Sequence, residues 1–297
     1  LPEWVGVPLE LVTIHEFGHQ YFYGLLASNE AEEAWLDEGM NSYVETRIMD
    51  TYYGEGSFID LPGLRVSDGS FQRLGYTKNA PSRGALFTKS WQYRDGDYGK
   101  ASYSKPATVM NTLERYLGWE TMRAFLQAYY DQWAFDHPTT RDLQQVAEEV
   151  SGEDLAWFFD QYVYGTATVD YEVVRVSNSR IAGSDIAGRD STRYNGYVLI
   201  HRKYDGYFPV TVEVRYRDDT TERKVVDGKD EWTRLTFDDH PGIVEAFVDP
   251  DNEVWLDIDR LNNRRQISGS QGPFARKIQL KATVAVQQVL FLLAGIF

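Results

Sequence analysis

The chain has 297 residues, enough for a sizeable core and, at the usual domain size, for about two domains. Its 42% hydrophobic and 14% aromatic content excludes a disordered chain, and a net charge of -15 with a pI near 4.8 repels phosphate backbones, so nucleic acid is not an expected partner. Cysteine is absent, which removes disulfides, thiolate ligands and a cysteine nucleophile and leaves any transition metal to histidine and carboxylate.

The chain opens Leu1-Pro2-Glu3-Trp4 without a charged-then-apolar leader, so no signal peptide is read there. From Pro8 to about Leu26, Leu9, Val12, Phe17, Tyr21 and Leu25 recur at helical spacing, with Pro8 suited to a first turn. A polar loop through Ser28, Asn29 and Glu30 leads to a second helix over about 34–53. Residues 54–97, rich in Gly, Ser and Pro, read as mostly loop with short helices at best. Further helices are predicted at about 104–117, 119–135, 139–150 and 153–163, with Thr139/Asp142 and Ser151/Asp154 as capping boxes for the last two.

Beyond Gly165 the texture changes to alternating and β-branched runs, at 171–176, 194–200, 210–216 and 243–248, separated by Gly, Asp and Asn turns. From Arg260 onward come six basic residues (Arg260, Arg264, Arg265, Arg276, Lys277, Lys281) and no acidic one, then a largely apolar run of 16 residues, Ala282–Phe297. That run is shorter than the roughly 20 residues needed to span a bilayer. It leaves three readings open: an interfacial helix making membrane contact through residues 276–297, a helix docked on protein, or a truncated span. The expected fold class is therefore α+β and multidomain: a mainly helical domain at 1–165, a small β-sandwich at 166–260, and a basic then apolar tail with a C-terminal helix at 261–297.

Chemistry concentrates in the first helix. In His15-Glu16-Phe17-Gly18-His19 the two histidines, four apart, share one helix face and can present imidazole nitrogens to one ion, while Glu16 points at the ion's open side. A third ligand is expected from Glu38 in Trp35-Leu36-Asp37-Glu38-Gly39, 19 residues after His19, which is enough chain to turn and start an antiparallel neighbour. Two imidazoles, one carboxylate and an open position for water suit a single catalytic Zn²⁺. A motif starting at residue 15 would need support on all sides, so the sequence is read as a piece whose N-terminal portion lies outside it.

The HExxH pattern with eighteen residues between His19 and Glu38 resembles the M1 aminopeptidases of the gluzincin group, whose catalytic domain is thermolysin-like. The likeness continues at Tyr103-Ser104-Lys105-Pro106-Ala107, similar to the family's Tyr-x-Lys-Gly-Ala segment with Pro106 in place of the glycine, and at Ser151–Leu155 and Phe158–Gln161; it covers about residues 1–165. The resemblance implies release of N-terminal residues from peptide substrates, with Glu16 as general base and Tyr103 steadying the tetrahedral intermediate. It places Glu45 where the family has a further acid on the third-ligand helix, able to orient a ligand histidine. The family's Gly-x-Met-x-Asn segment, which anchors the substrate amine, has no counterpart before His15. Two other readings accompany this one, a gluzincin endopeptidase and a catalytically inactive zinc-stabilised scaffold.

Overall fold

In the computed structural model, residues 3–61, 64–78, 84–94, 96–184 and 192–267 are described. The chain forms two compact units, one of Leu1–Asp170 with Tyr204–Phe208 and Asn252–Ile258, the other of Tyr171–Lys203, Pro209–Asp251 and Asp259–Phe297.

Among the described residues the first unit is built on eight α-helices: α1 (Glu3–Gly18), α2 (Glu30–Glu33), α3 (Glu38–Tyr53), α4 (Asp68–Thr77), α5 (Lys105–Leu117), α6 (Trp119–Trp133), α7 (Thr140–Ser151) and α8 (Ala156–Tyr162). Its core holds Trp35, Met40, Tyr43, Met110, Leu113, Phe125, Phe158 and Phe159, all fully buried. The indole of Trp35 donates to Thr140 Oγ1 at 3.0 Å, so this fully buried aromatic has its polar atom satisfied.

α1 stops at Gly18, short of the predicted end at Leu26. A Cβ at Gly18 would overlap Asn41 Oδ1, so the chain meets α3 there through bare backbone. It then breaks into tight turns, with Gly24 N–H donating to His19 C=O at 2.9 Å and Tyr23 at positive φ. Of the residues at helical spacing, Leu9 is 65%, Val12 52% and Phe17 76% exposed, while Tyr21 and Leu25 are half-buried.

The stretch 54–97 is more regular than its composition predicts. It contains an antiparallel ribbon of β1 (Ile59–Leu61) and β2 (Leu64–Val66), and the ten-residue α4, capped by Ser67 whose hydroxyl accepts the Ser70 N–H at 3.1 Å. Glycines that read as breakers serve close packing: a Cβ at Gly75 would lie 2.6 Å from Ser104 Oγ, and one at Gly69 3.0 Å from the Trp255 ring.

At α7 both halves of the predicted Thr139/Asp142 capping box form, with the Thr139 N–H donating to Asp142 Oδ2 at 2.8 Å. The Ser151/Asp154 box does not form. Ser151 is the last residue of α7 and Gly152 closes that helix in the left-handed region, so α8 begins only at Ala156, whose N–H Asp154 Oδ1 accepts at 3.0 Å.

Among the described residues the second unit holds two antiparallel sheets, with strands β3 (Tyr171–Arg180), β4 (Tyr194–Arg202), β5 (Val210–Tyr216), β6 (Thr221–Val226), β7 (Trp232–His240), β8 (Ile243–Val248) and β9 (Arg264–Gln266). Their orders are β3-β4-β7 and β6-β5-β8-β9. In β5, Val210, Val212, Val214 and Tyr216 alternate into the core, with Val212 opposite Val248 and Val214 opposite Ala246. β6 and β7 escape sequence reading because each is an edge strand of mostly polar residues.

β9 falls in the stretch that sequence reading set apart as a tail, and two strips beyond residue 166, Tyr204–Phe208 and Asn252–Ile258, belong to the helical unit, so no single cut separates the units. Among the described residues no helix is long and apolar enough to cross a membrane. The expected C-terminal helix and the membrane contact through 276–297 lie outside the described residues.

Candidate metal centre

α1 delivers His15 in its last turn, the turn after Gly18 delivers His19, and the first residue of α3 delivers Glu38. One ligand-type atom from each lies within 4.8 Å of the others, the one such group of three among the described residues. His15 Nε2 is 3.2 Å and His19 Nε2 3.4 Å from Glu38 Oε2, and the two rings meet edge to face at 4.9 Å.

Both histidines are held from behind. His15 Nδ1 is 2.7 Å from Glu45 Oε2 and His19 Nδ1 2.7 Å from Asp37 Oδ1, so each carboxylate accepts an N–H from the ring nitrogen that points away from Glu38. With Nδ1 committed to its carboxylate, Nε2 is the ring nitrogen that can bind a metal once it has given up its own proton. Asp37 stands at the N-cap of α3 but makes no side-chain cap bond, having given its carboxylate to His19. Asn41 Nδ2 donates to the His15 carbonyl at 2.7 Å, which ties the end of α1 to α3.

The electrostatics follow from this crowding. Burial opposes a charge on His15, yet its hydrogen bonds with Glu38 and Glu45 outweigh that and lift its pKa to about 10. For Asp37 burial dominates over the His19 contact and raises the carboxyl to about 6. Burial pushes Glu38 up as well, but hydrogen bonds from His15 and Tyr103 hold it below the ordinary carboxylate value.

Tyr103 lies in a π-helical turn, Lys100–Ser104, that leads into α5. Its ring stacks on His15 with centroids 5.7 Å apart and planes 25° from parallel. Burial first, and then its hydrogen bond to Glu38, raise the phenol well above its usual pKa, so it stays a donor. Pro106 sits in the first turn of α5, where a missing N–H costs nothing, and its ring rests on Gly39: a Cβ there would lie 2.5 Å from Pro106 Cβ. Glu16 is exposed beside His15.

The structure thus brings His15, His19, Glu38, Glu45 and Tyr103 together; Glu16 adjoins His15 in sequence and is exposed. Sequence reading gave no role to Asp37 or Asn41. Asp37 adjoins Glu38 and could have been weighed as a histidine partner, whereas Asn41 carries no sequence signal beyond lying one helical turn from Glu38.

Comparison with known proteins places the chain among peptidases. The family model "Peptidase family M1 domain" matches residues 8–162. Aminopeptidase M1-A of Oryza sativa subsp. japonica is 28% identical over 166 residues, covering 56% of this chain and 18% of that protein. Aminopeptidase N of Lactococcus lactis subsp. lactis is 27% identical over 175 residues, covering 55% and 20%. The chain therefore spans about a fifth of the length of these relatives. A crystal structure of Legionella pneumophila aminopeptidase A in complex with aspartic acid has a similar fold, with a TM-score of 0.56 at 14% identity over 83% of this chain and 26% of that one.

Proposed function

The chain belongs to peptidase family M1, and from that premise we propose that it hydrolyses peptide bonds with one zinc ion held by His15, His19 and Glu38, releasing residues from the N-terminus of peptides. The observation that carries this reading is the aim of the ring nitrogens: both Nδ1 atoms are tied to carboxylates while both Nε2 atoms converge on Glu38. Two imidazole nitrogens and one carboxylate oxygen are the donor set of a catalytic zinc site that keeps a position for water, so the residues present fit the ion.

Zinc bound there supplies a Lewis acid that polarises the scissile carbonyl and lowers the pKa of water to about 7. Glu16, one residue from His15 and facing solvent, accepts the proton of the attacking water and passes it to the leaving amine, one carboxylate serving as base and then acid. Tyr103, kept protonated by its surroundings, donates a hydrogen bond to the carbonyl oxygen as that atom gains charge.

The names of the relatives support an aminopeptidase over an endopeptidase. The test compares hydrolysis of a peptide with a free N-terminus and its N-acetylated twin by the full-length protein. Loss of cleavage on acetylation is the expected result. Equal cleavage of both makes the protein an endopeptidase, and zinc-loaded protein that cleaves neither is the scaffold.

A further inference from the structure

The helix that carries the first histidine stops before the second. α1 ends at Gly18, so His15 lies in its last turn and His19 in the turn beyond. Regular helix geometry, which holds residues four apart on one face, therefore does not by itself set the spacing of the two rings. The outer residues of α1 add little anchorage, since Leu9, Val12 and Phe17 are exposed.

The break is gripped instead from α3. Asn41, 1% exposed, donates from Nδ2 to the His15 carbonyl at 2.7 Å. A Cβ at Gly18 would lie 1.9 Å from Asn41 Oδ1, so the same amide fills the space that glycine leaves open. Asn41 is itself held in the helix, because its N–H donates to the Asp37 carbonyl at 3.0 Å. Residues 37, 41 and 45 are spaced by four and share one face of α3. Asp37 and Glu45 hold the rings of His19 and His15, which fixes how each imidazole is turned. Asn41 holds main chain, which fixes where the imidazoles stand.

We propose that Asn41 is a positioning residue: its amide clamps the backbone at the break between the two histidines and so sets the separation of His15 Nε2 and His19 Nε2 around the metal. The inference rests on the zinc reading above and adds to it the group that places the ligands. Asn41 acts through the backbone of residues 15–18 and needs no contact with ion or substrate.

The experiment measures the zinc dissociation constant of the full-length protein, by competition with a chromophoric chelator, and the unfolding midpoint of the zinc-free protein. Asn41→Ala removes the donor and is expected to weaken zinc binding about tenfold, the lower end of the scale for losing the support of a ligating histidine. Asn41→Ser, whose hydroxyl is too short to reach the carbonyl, carries the same comparison where alanine does not fold.

Asn111→Ala is the control. Asn111 is also a buried amide packed against α3, but its partners are Thr46 Oγ1 at 3.3 Å and the Ala107 carbonyl at 2.9 Å, neither of them part of the metal centre. Its loss is expected to lower the unfolding midpoint and to leave zinc affinity within about twofold of wild type, as for a site that shares no partner with the ligands. The visible spectrum of the cobalt-substituted protein, which follows coordination geometry, should shift in Asn41→Ala and not in Asn111→Ala. Asn41 variants that bind zinc within about threefold of wild type, or a loss that Asn111→Ala matches, would make Asn41 merely structural and overturn the inference. Wild-type protein that takes up no zinc would instead overturn the zinc reading itself, and this inference with it.

Discussion

Glu16 stands next to His15 yet faces solvent, and in the proposed function it belongs to the turnover chemistry rather than to metal retention. Glu16→Gln is expected to keep zinc and to lower kcat by about 10² to 10⁴, the range for loss of a general base. Metal analysis and steady-state rates on the same full-length preparation check both halves. Tyr103→Phe removes only the hydroxyl, leaves the ring stacked on His15, and is expected to cost about 10² in kcat with little change in zinc content. At this scale much was legible, because His15, Glu16, His19 and Glu38 form a spaced pattern. Asp37 was not, since a carboxylate that holds a histidine need only reach it in space: Asp37 lies 18 residues from His19 and meets its Nδ1 at 2.7 Å.

The elements are set by contacts that local propensity does not contain. Gly39 lies one residue from a ligand on α3, in a helix where alanine would be favoured by up to about 1 kcal/mol. A Cβ at Gly39 would lie 2.4 Å from Pro106 Cγ and 3.0 Å from the Ser102 carbonyl oxygen. Gly39→Ala is therefore expected to destabilise the fold by about 1 to 3 kcal/mol, the cost of overpacking. Thermal unfolding of the single variant and of Gly39→Ala with Pro106→Gly checks the cause, since the double variant should recover part of the loss. The same logic explains where sequence reading succeeded and failed. Thr139 and Asp142 are a self-contained cap and could be read directly, whereas α4 was hidden because Gly69 and Gly75 look like breakers until Trp255 and Ser104 are seen against them.

Across the whole molecule the net charge of -15 is carried by the first unit, with 29 acidic against 12 basic residues, while the second is near neutral with 16 against 18, and one buried histidine in the second makes stability depend on pH near neutrality. His240 stacks on Tyr216 with centroids 5.0 Å apart, and its Nδ1 accepts the Gly242 N–H at 3.0 Å, a bond that protonation of Nδ1 would remove. Burial first, and then Arg193, hold its pKa below the ordinary 6.5. With the folded value depressed, the unfolded chain binds more protons in that window, so the contribution is complete above about pH 6.5 and is lost as pH falls through the folded value. Unfolding midpoints of the second unit at pH 7.5 and pH 5 are expected to differ in that direction, and His240→Phe to reduce the difference; a midpoint higher at pH 5 would contradict it. The division into units was legible only as a change of texture near Gly165, because the returning strips Tyr204–Phe208 and Asn252–Ile258 are short and follow no periodicity.

The central claim is that three side chains from three places in the sequence form one zinc site. The most direct measurement is zinc content of the full-length protein by mass spectrometry, for wild type and Glu38→Ala after equal dialysis. The account predicts about one zinc per chain in wild type and a sharp loss in the variant. Wild type without zinc, or zinc retained equally without Glu38, would contradict it.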